Sequence, residues 1–263
     1  MAASVPSWLM MGTRTAMVCL GLSSVAWGVL VAPLVWHQAS MSQTARKVIG
    51  GETYQPGVLA TFADAAEQKL RRDICQPLIR RTLAVIRLRL AEEALAGGDA
   101  DQIRQTRSAL EAALQDALAC TPTDPYLWLA MFWTQNNTRG LQQDNFGSLR
   151  LSYRYGPNEG WLALRRNRYA VAIYPALPDD LKSSAIDEFR QLVKSDFITD
   201  AAEILAGPGR PISDLLLSRL DGVDIQKLRF LARLLDGRSF AAKIPGVQIS
   251  PRFPAVSEAR SDR

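Results

Sequence analysis

Few residues of this chain could carry chemistry, and the cysteines are the most informative of them. The sequence has three cysteines and one histidine, His37. A single histidine is too few for most metal sites and most acid–base catalysis, and no group of His, Cys, Asp and Glu has the spacing of metal ligands. A glycine-rich phosphate loop and a Ser–His–Asp set are also missing. The sequence therefore predicts a protein that is not an enzyme and that uses neither a metal nor a cofactor.

Two of the cysteines, Cys75 and Cys120, lie at equal distances before and after the glycine pair Gly97-Gly98. If the flanking segments form an antiparallel helix hairpin, equal arms bring both thiols to its open end, which predicts a Cys75–Cys120 disulfide. Disulfides persist in oxidising compartments, so this bridge would place the domain in the periplasm or outside the cell. The alternative is a pair of buried free thiols. The third cysteine, Cys19, lies in an apolar run and is expected to pack as a small hydrophobic residue.

Arginines and tyrosines cluster around the corner Gly156-Pro157-Asn158. A guanidinium group binds carboxylate or phosphate through two parallel hydrogen bonds, so such a surface could bind an acidic polysaccharide, a lipid head group or an acidic peptide. The alternative is a solvated arginine-rich face with the tyrosines packed beneath it. Asn158 is interpreted as a helix N-cap and Glu159 as a carboxylate favoured in the first turn. The candidate binding surface comprises Arg150, Arg154, Arg165, Arg166, Arg168, Tyr153 and Tyr155.

These groups belong to a chain that opens with a long apolar run at residues 15–36. The run contains no Asp, Glu, Lys or Arg and is bounded by Arg14 and His37. At 1.5 Å per residue, a helix of this length covers roughly 33 Å, which is enough to cross the hydrocarbon core of a membrane. The run therefore predicts a transmembrane helix and a bitopic protein.

A cleaved signal peptide is the alternative interpretation of this run. Arg14 would be its basic flank and Ser24-Val25-Ala26 its small-residue cleavage site. Cleavage there would leave the apolar residues 27–36 at the start of the mature protein, so an uncleaved anchor is favoured. Arg46 and Lys47 slightly favour a cytoplasmic domain, whereas the cysteines favour the opposite orientation. Giving the cysteines more weight, we expect an inner-membrane protein whose soluble domain is periplasmic or otherwise extracytoplasmic.

The composition indicates a packed domain beyond the apolar run. Hydrophobic residues make up 48% of the chain, which supports a folded core. The net charge of +5 favours contact with anionic lipid or an acidic polymer, although an arginine-rich helical surface is the better explanation. Five segments are predicted: an N-terminal lead (1–14), a transmembrane helix (15–36), a linker (37–56), a helical-repeat domain (57–242) and a flexible tail (243–263).

Apolar residues recur at intervals of three and four through this domain, which predicts an all-α fold and no convincing strand. Asp99, followed three residues later by Gln102, is a capping-box pattern at the start of the second helix of the hairpin. A polar loop is predicted at residues 135–140. The predicted helices are 56–72, 77–97, 99–120, 124–133, 141–155, 158–174, 179–194, 211–220 and 223–235.

A repeat follows the hairpin. Trp128-Leu129-Ala130 recurs as Trp161-Leu162-Ala163 after 33 residues, a period typical of stacked helix-turn-helix units. On these residues, the stretch 77–197 resembles a degenerate tetratricopeptide-repeat array, although Phe132 and Arg165 stand where that family has small residues. The positions that carry the resemblance are the early aromatics Trp128 and Trp161, the closing prolines Pro122 and Pro157, and the small residues Ala117 and Ser152.

The resemblance implies antiparallel helix hairpins and a docking or scaffold function, because such arrays present a groove to a peptide or a helix. Similarity to bacterial membrane-anchored repeat proteins implies a setting in the cell envelope, such as polysaccharide synthesis and export or secretion. We therefore expect a protein partner and no nucleic acid. One alternative is direct binding of an anionic envelope polysaccharide or lipid through the arginine and tyrosine surface. Another is an unrecognised enzyme acting on envelope sugars, which would need a pocket with convergent carboxylates.

Overall fold

The computed structural model describes residues 7–55, 57–70, 75–240 and 243–247, except for the side chains of residues 7–11, 13, 15 and 33–42 in the first helix. All regular structure in these ranges is helical, so the predicted all-α fold is confirmed for them. The chain divides into two compact units, unit 1 ending at Pro122 and unit 2 beginning at Thr123. This division falls inside the predicted helical-repeat domain. Most of the predicted tail lies outside the described residues.

The described helices of unit 1 begin with one that is far longer than the predicted span. It continues through residues 38–49, which the sequence assigns to a linker, because Ala45 and Val48 are buried in the packing of this helix against its neighbour. Among the described side chains of that segment, Gln43, Arg46 and Lys47 are exposed. The helices are α1 (Ser7–Ile49), α2 (Val58–Lys69), α3 (Pro77–Gly97) and α4 (Ala100–Cys120).

The described side chains in the first half of α1 are exposed and mostly apolar. Trp27 is 70% exposed and Leu30 is 77% exposed. In the part of the chain that the structure describes, no helix combines the length and the apolar character needed to cross a membrane. The predicted span falls partly outside that part, since the side chains of residues 15 and 33–36 are not described. The other large exposed residues of this stretch are Met17, Val18, Leu20, Leu22, Val25 and Val29.

Helices α3 and α4 form the hairpin that the sequence predicts. Gly98 ends α3 with a φ of 78°, a left-handed conformation that glycine adopts without strain. Asp99 then caps α4, since its carboxylate accepts a hydrogen bond of 2.7 Å from the Gln102 N–H, which confirms the predicted cap. At the open end, Cys75 and Cys120 are joined by a disulfide with a Cα–Cα distance of 5.6 Å.

The described helices of unit 2 are mostly short and begin with two hairpins, α5 with α6 and α7 with α8. Asp124 starts α5 by accepting hydrogen bonds from the backbone N–H groups of Tyr126 and Leu127. Single 3₁₀ turns lie at Gln143–Asn145, Tyr174–Ala176 and Arg210–Ile212. The α-helices are α5 (Pro125–Arg139), α6 (Phe146–Tyr155), α7 (Gly160–Ala172), α8 (Asp179–Lys194), α9 (Ile198–Ala206), α10 (Ser213–Ser218) and α11 (Ile225–Asp236).

The predicted loop at residues 135–140 is wrong, because α5 remains helical to Arg139 and ends at Gly140. Asn136, one of the amides that suggest a loop, instead accepts a hydrogen bond from the connection to α6. Asn145 donates through its side-chain amide to Asn136 Oδ1 at 3.0 Å and to the Gly140 carbonyl at 2.9 Å. The connection is thus short and ordered by side-chain hydrogen bonds.

Helix α9 has no counterpart among the predicted helices. It is only nine residues long and lacks a side-chain cap, so neither its period nor its ends stand out in the sequence. Its Ile198, Ala201 and Leu205 are nevertheless buried in a core that it shares with α11. The end of unit 2 is therefore a small cluster of helices rather than a further regular hairpin.

Candidate functional site

The candidate site in unit 2 is built on a buried ion pair that contradicts one prediction. Arg166 of α7 is fully buried and does not belong to a binding surface. Its Nε and Nη2 donate to Oε1 of Glu188 in α8 at 2.9 and 2.6 Å. Its remaining donors reach the backbone carbonyls of Ser152 at 2.6 Å and Gly156 at 2.9 Å. One guanidinium group thus ties α6, α7 and α8 together.

Tyr153 completes this network and is also largely buried. Its hydroxyl donates to Oε2 of Glu188 at 3.1 Å, and its ring centroid lies 4.2 Å from the guanidinium carbon of Arg166. Burial, reinforced by the charge of Glu188, raises the pKa of Tyr153 well above its ordinary value. Burial also raises the pKa of Glu188, while Arg166 opposes that shift. These groups therefore act as one coupled network.

The sequence pattern indicates this buried pair, although the predicted binding surface includes Arg166 and omits Glu188. Glu188 lies in register with the buried Leu181, Ala185 and Leu192 of α8. Arg166 likewise falls on the buried face of α7, between Leu162 and Ala170. A charge inside the apolar stripe of each of two neighbouring helices indicates a buried pair, since an isolated buried charge is very costly.

The other members of the predicted surface are scattered among local partners. Arg150 binds Asp180 through two hydrogen bonds of 2.6 and 3.0 Å, and these lower the pKa of the Asp180 carboxyl. Arg168 pairs with Glu203 at 3.2 Å. The remaining members do not converge on one site: Arg154 lies 6.0 Å from the ring centroid of Tyr155, and Arg165 is half-buried.

A groove adjoins the ion pair, and we call it the α7–α8 groove. It encloses a cavity of about 380 Å³, which is within the range of about 300–1,000 Å³ typical of ligand pockets. Two carboxylates line it, and among its described lining residues there is no Lys or Arg. Its apolar part is formed by Pro157, Ala163, Leu192 and Phe197, and its polar part by Asn158, Ser184, Asp187, Glu188 and Gln191.

Two polar residues of this groove, Tyr153 and Asn158, stand out in the sequence, and both for other reasons. The predicted N-cap role of Asn158 is wrong, since the N-cap position of α7 is Glu159, which makes no side-chain capping hydrogen bond. The groove arises because α8 packs against α7 in a hairpin, which brings the second half of α8 beside the start of α7. No motif in the sequence marks that convergence.

Gly160 shapes one wall of the groove at the start of α7. A Cβ atom at this position would lie 2.8 Å from Cε2 and Cζ of Phe197. We expect Gly160→Ala to lower the free energy of unfolding of unit 2 by about 1–3 kcal/mol, because the Phe197 ring must move out of a packed position. Hydrogen exchange of the α7 and α9 amides in the full-length protein measures this change.

Gly147→Ala is the matched control for that substitution. Gly147 lies in α6, is exposed and has nothing within 4 Å of the added Cβ. Alanine should stabilise that helix by about 0.5–1 kcal/mol, because glycine loses more backbone entropy on folding. Equal effects of the two substitutions would contradict the packing of Gly160 against Phe197.

The described residues contain no group of three or more His, Cys, Asp or Glu side chains that could hold a metal ion. The chemistry that this site does offer is hydrogen bonding, charge and apolar contact. Comparison with known proteins adds nothing to these observations: no protein-family model matches the chain, and neither a curated protein nor a solved structure matches it.

Proposed function

We propose that the protein is a single-pass membrane-anchored helical-repeat scaffold that docks a protein partner in unit 2. The observation that carries this proposal is the exposed apolar surface of α1, where residues such as Leu20, Val25 and Trp27 project from the helix. A stretch of helix whose exposed side chains are mostly apolar is typical of a protein core or a membrane. The uncharged run of the sequence at residues 15–36 supports the membrane.

The architecture of the two units supports the scaffold part of the proposal. Hairpins α3–α4, α5–α6 and α7–α8 follow one another along the chain, as in repeat proteins that bind other proteins. The equivalence of the Trp128 and Trp161 segments extends to packing, since Leu129 and Leu162 are both buried, as are Ala130 and Ala163. The tetratricopeptide-like interpretation rests on these residues.

The disulfide supports an extracytoplasmic location of the domain, because structural disulfides are rare in a reducing cytosol. With a membrane anchor, this favours the inner membrane with the domain in the periplasm. By its resemblance to membrane-anchored repeat proteins, we place the scaffold in a cell-envelope assembly, either for polysaccharide synthesis and export or for secretion.

Direct binding of an anionic polymer or lipid through the arginine and tyrosine surface is the weaker proposal. Arg166 is buried, and Arg150 and Arg168 are already paired with carboxylates. A polymer would have to displace these partners. Binding of this kind should weaken steeply between 50 and 300 mM salt, roughly as screening between exposed charges increases.

The anchor is tested by sedimenting membranes of a bacterium that expresses the full chain and washing them with alkaline carbonate. We expect the wild-type protein in the pellet and the double variant Leu20→Arg/Val25→Arg largely in the supernatant, since each arginine costs about 2.5–3.5 kcal/mol at the centre of a spanning helix. Phe62→Arg, an exposed apolar position in α2, should leave the protein in the pellet. Wild-type protein in the supernatant would overturn the proposal.

A further inference from the structure

We propose that the α7–α8 groove binds a lysine or arginine side chain presented by an extended segment of the partner protein. This inference rests on the scaffold function proposed above and names the chemistry that its groove recognises. Four features of the groove support it: its charge, its apolar wall, its polar rim and its rigidity.

The charge of the groove selects a cation. Asp187 and Glu188 line it, while none of its described lining residues is basic, in a chain of net charge +5. Glu188 is engaged by Arg166, so Asp187 is the carboxylate available to a ligand. Among the residues that the structure describes, Asp187 pairs with Arg190 of its own helix at 3.1 Å, and 66% of the aspartate side chain is exposed. Such an exposed pair is weak, and an incoming cation can replace Arg190 at little cost.

The apolar wall selects a cation with a hydrocarbon stem. Ala163, Leu192 and Phe197 form a surface beside the carboxylates. Lysine and arginine pack their methylene stems on apolar surface while the charged end remains beside polar groups. A small inorganic cation or a short ammonium group would leave this wall uncovered.

The polar rim suits the backbone of an extended peptide. Gln191 and Asn158 lie at the edge of the groove and are exposed. Each amide side chain has both donors and acceptors, so it can pair with the N–H and C=O groups that an extended segment presents. The cavity of about 380 Å³ thus has room for a basic side chain and the adjoining backbone.

The groove is held open before any ligand arrives. The Arg166–Glu188 pair fixes α7 against α8, and the contact of Gly160 with Phe197 fixes the aromatic wall. A site that is already ordered loses little conformational entropy on binding, which favours affinity.

The test is selection of random twelve-residue peptides displayed on phage against the full-length protein in lipid nanodiscs. We expect enrichment of peptides that carry Lys or Arg beside apolar residues. For the best synthetic peptide, replacing that basic residue by norleucine should weaken binding at least tenfold in fluorescence anisotropy. Enrichment of peptides without a basic residue would overturn the inference.

Variants of the protein locate the binding. Asp187→Lys should weaken binding of the peptide at least tenfold, and Gln191→Trp, which fills the groove without changing its charge, should do the same. Asp179→Lys is the matched control, since Asp179 lies on the same helix, is fully exposed and does not line the groove, and it should change affinity less than twofold. Circular dichroism melting verifies that each variant is folded.

The outcomes separate this inference from the scaffold function. Peptides that bind the wild type and both groove variants equally well would overturn the groove assignment and leave a scaffold that docks its partner elsewhere. No enriched peptide in any selection would count against both the groove and the scaffold.

Discussion

Replacing Arg166 by methionine is expected to lower the free energy of unfolding of unit 2 by about 3–5 kcal/mol, because it leaves the carboxylate of Glu188 buried without its partner. Methionine has a similar reach and fits an apolar interior, so the loss reports the missing charge rather than a cavity. Glu188 then retains neutral hydrogen-bond partners such as the hydroxyl of Tyr153, and none of these carries a positive charge. The measurement is hydrogen exchange of the α6, α7 and α8 amides in the full-length protein.

Two further variants make this result specific. Arg150→Met removes an exposed arginine that also pairs with a carboxylate through two hydrogen bonds, and it should cost less than about 1 kcal/mol. The double variant Arg166→Met/Glu188→Leu removes both buried charges and should recover most of the stability, since apolar replacements of a buried pair are often neutral or better. A loss in the double variant as large as in Arg166→Met would show that the charges are not the reason.

The pH dependence of Arg166→Met follows from the pKa of Glu188. Burial raises this pKa above its ordinary 4.5, and Arg166 is the main group that opposes the rise. Without Arg166 the pKa rises further, so the folded variant takes up a proton more readily than the unfolded chain. Protonation of Glu188 therefore stabilises the folded variant below pH 4.5, and this stabilisation is lost as the pH rises through the raised pKa. The difference in the free energy of unfolding between Arg166→Met and the wild type should therefore shrink on acidification.

The contrast between Arg166 and its neighbours shows what the sequence could predict about this site. Arg150 and Arg168 are also arginines and belong to the same cluster in the sequence, yet they lie at the surface. What distinguishes Arg166 is burial, since it and its partner Glu188, 22 residues away on another helix, both lie on buried faces. A pattern within one helix gives the face on which a residue lies, but the partner of a buried charge depends on how two helices pack.

The fold was predictable where local signals coincide. The α3–α4 hairpin combines long apolar stripes, a turn glycine with positive φ at Gly98 and a capped start at Asp99, so each signal supports the same boundary. Helix α8 begins and ends as predicted for a similar reason, with prolines before it and a strong apolar stripe. Helix α9 is too short for a period to be recognised. The end of α5 is not evident from the sequence, because Asn136 suggests a loop but accepts a hydrogen bond from the following 3₁₀ turn instead.

The pairing of Cys75 with Cys120 is a long-range contact that was predictable from the sequence, because the two cysteines are placed symmetrically about the hairpin turn. It succeeded because a hairpin with equal arms leaves only one geometry at its open end, so position along the chain determines proximity. Position along the chain gives no comparable prediction of the α7–α8 groove. Its lining residues come from both helices and from Tyr153 and Phe197, and their convergence depends on packing that the sequence pattern does not specify.

Removing the disulfide is expected to lower the free energy of unfolding of unit 1 by about 4 kcal/mol, because the bridge closes a long loop in the unfolded chain. The two cysteines are 45 residues apart, and in the chain-entropy model the stabilisation grows with the logarithm of that separation. The bridge also fixes the open end of α3 and α4, where Cys75 precedes one helix and Cys120 ends the other. Hydrogen exchange of the α3 and α4 amides in Cys75→Ala/Cys120→Ala measures the loss.

Cys19→Ala is the control for the disulfide, because Cys19 is a free and exposed cysteine of α1 and its substitution should leave the exchange of α3 and α4 unchanged. Adding reductant to the wild type should reproduce the double variant, since both remove the same covalent constraint. Alkylation in intact cells followed by mass spectrometry gives the state of the thiols directly. A Cys75–Cys120 crosslinked peptide would place unit 1 in an oxidising compartment, whereas two alkylated thiols would contradict both the bridge and the periplasmic location, and would favour a cytoplasmic adaptor.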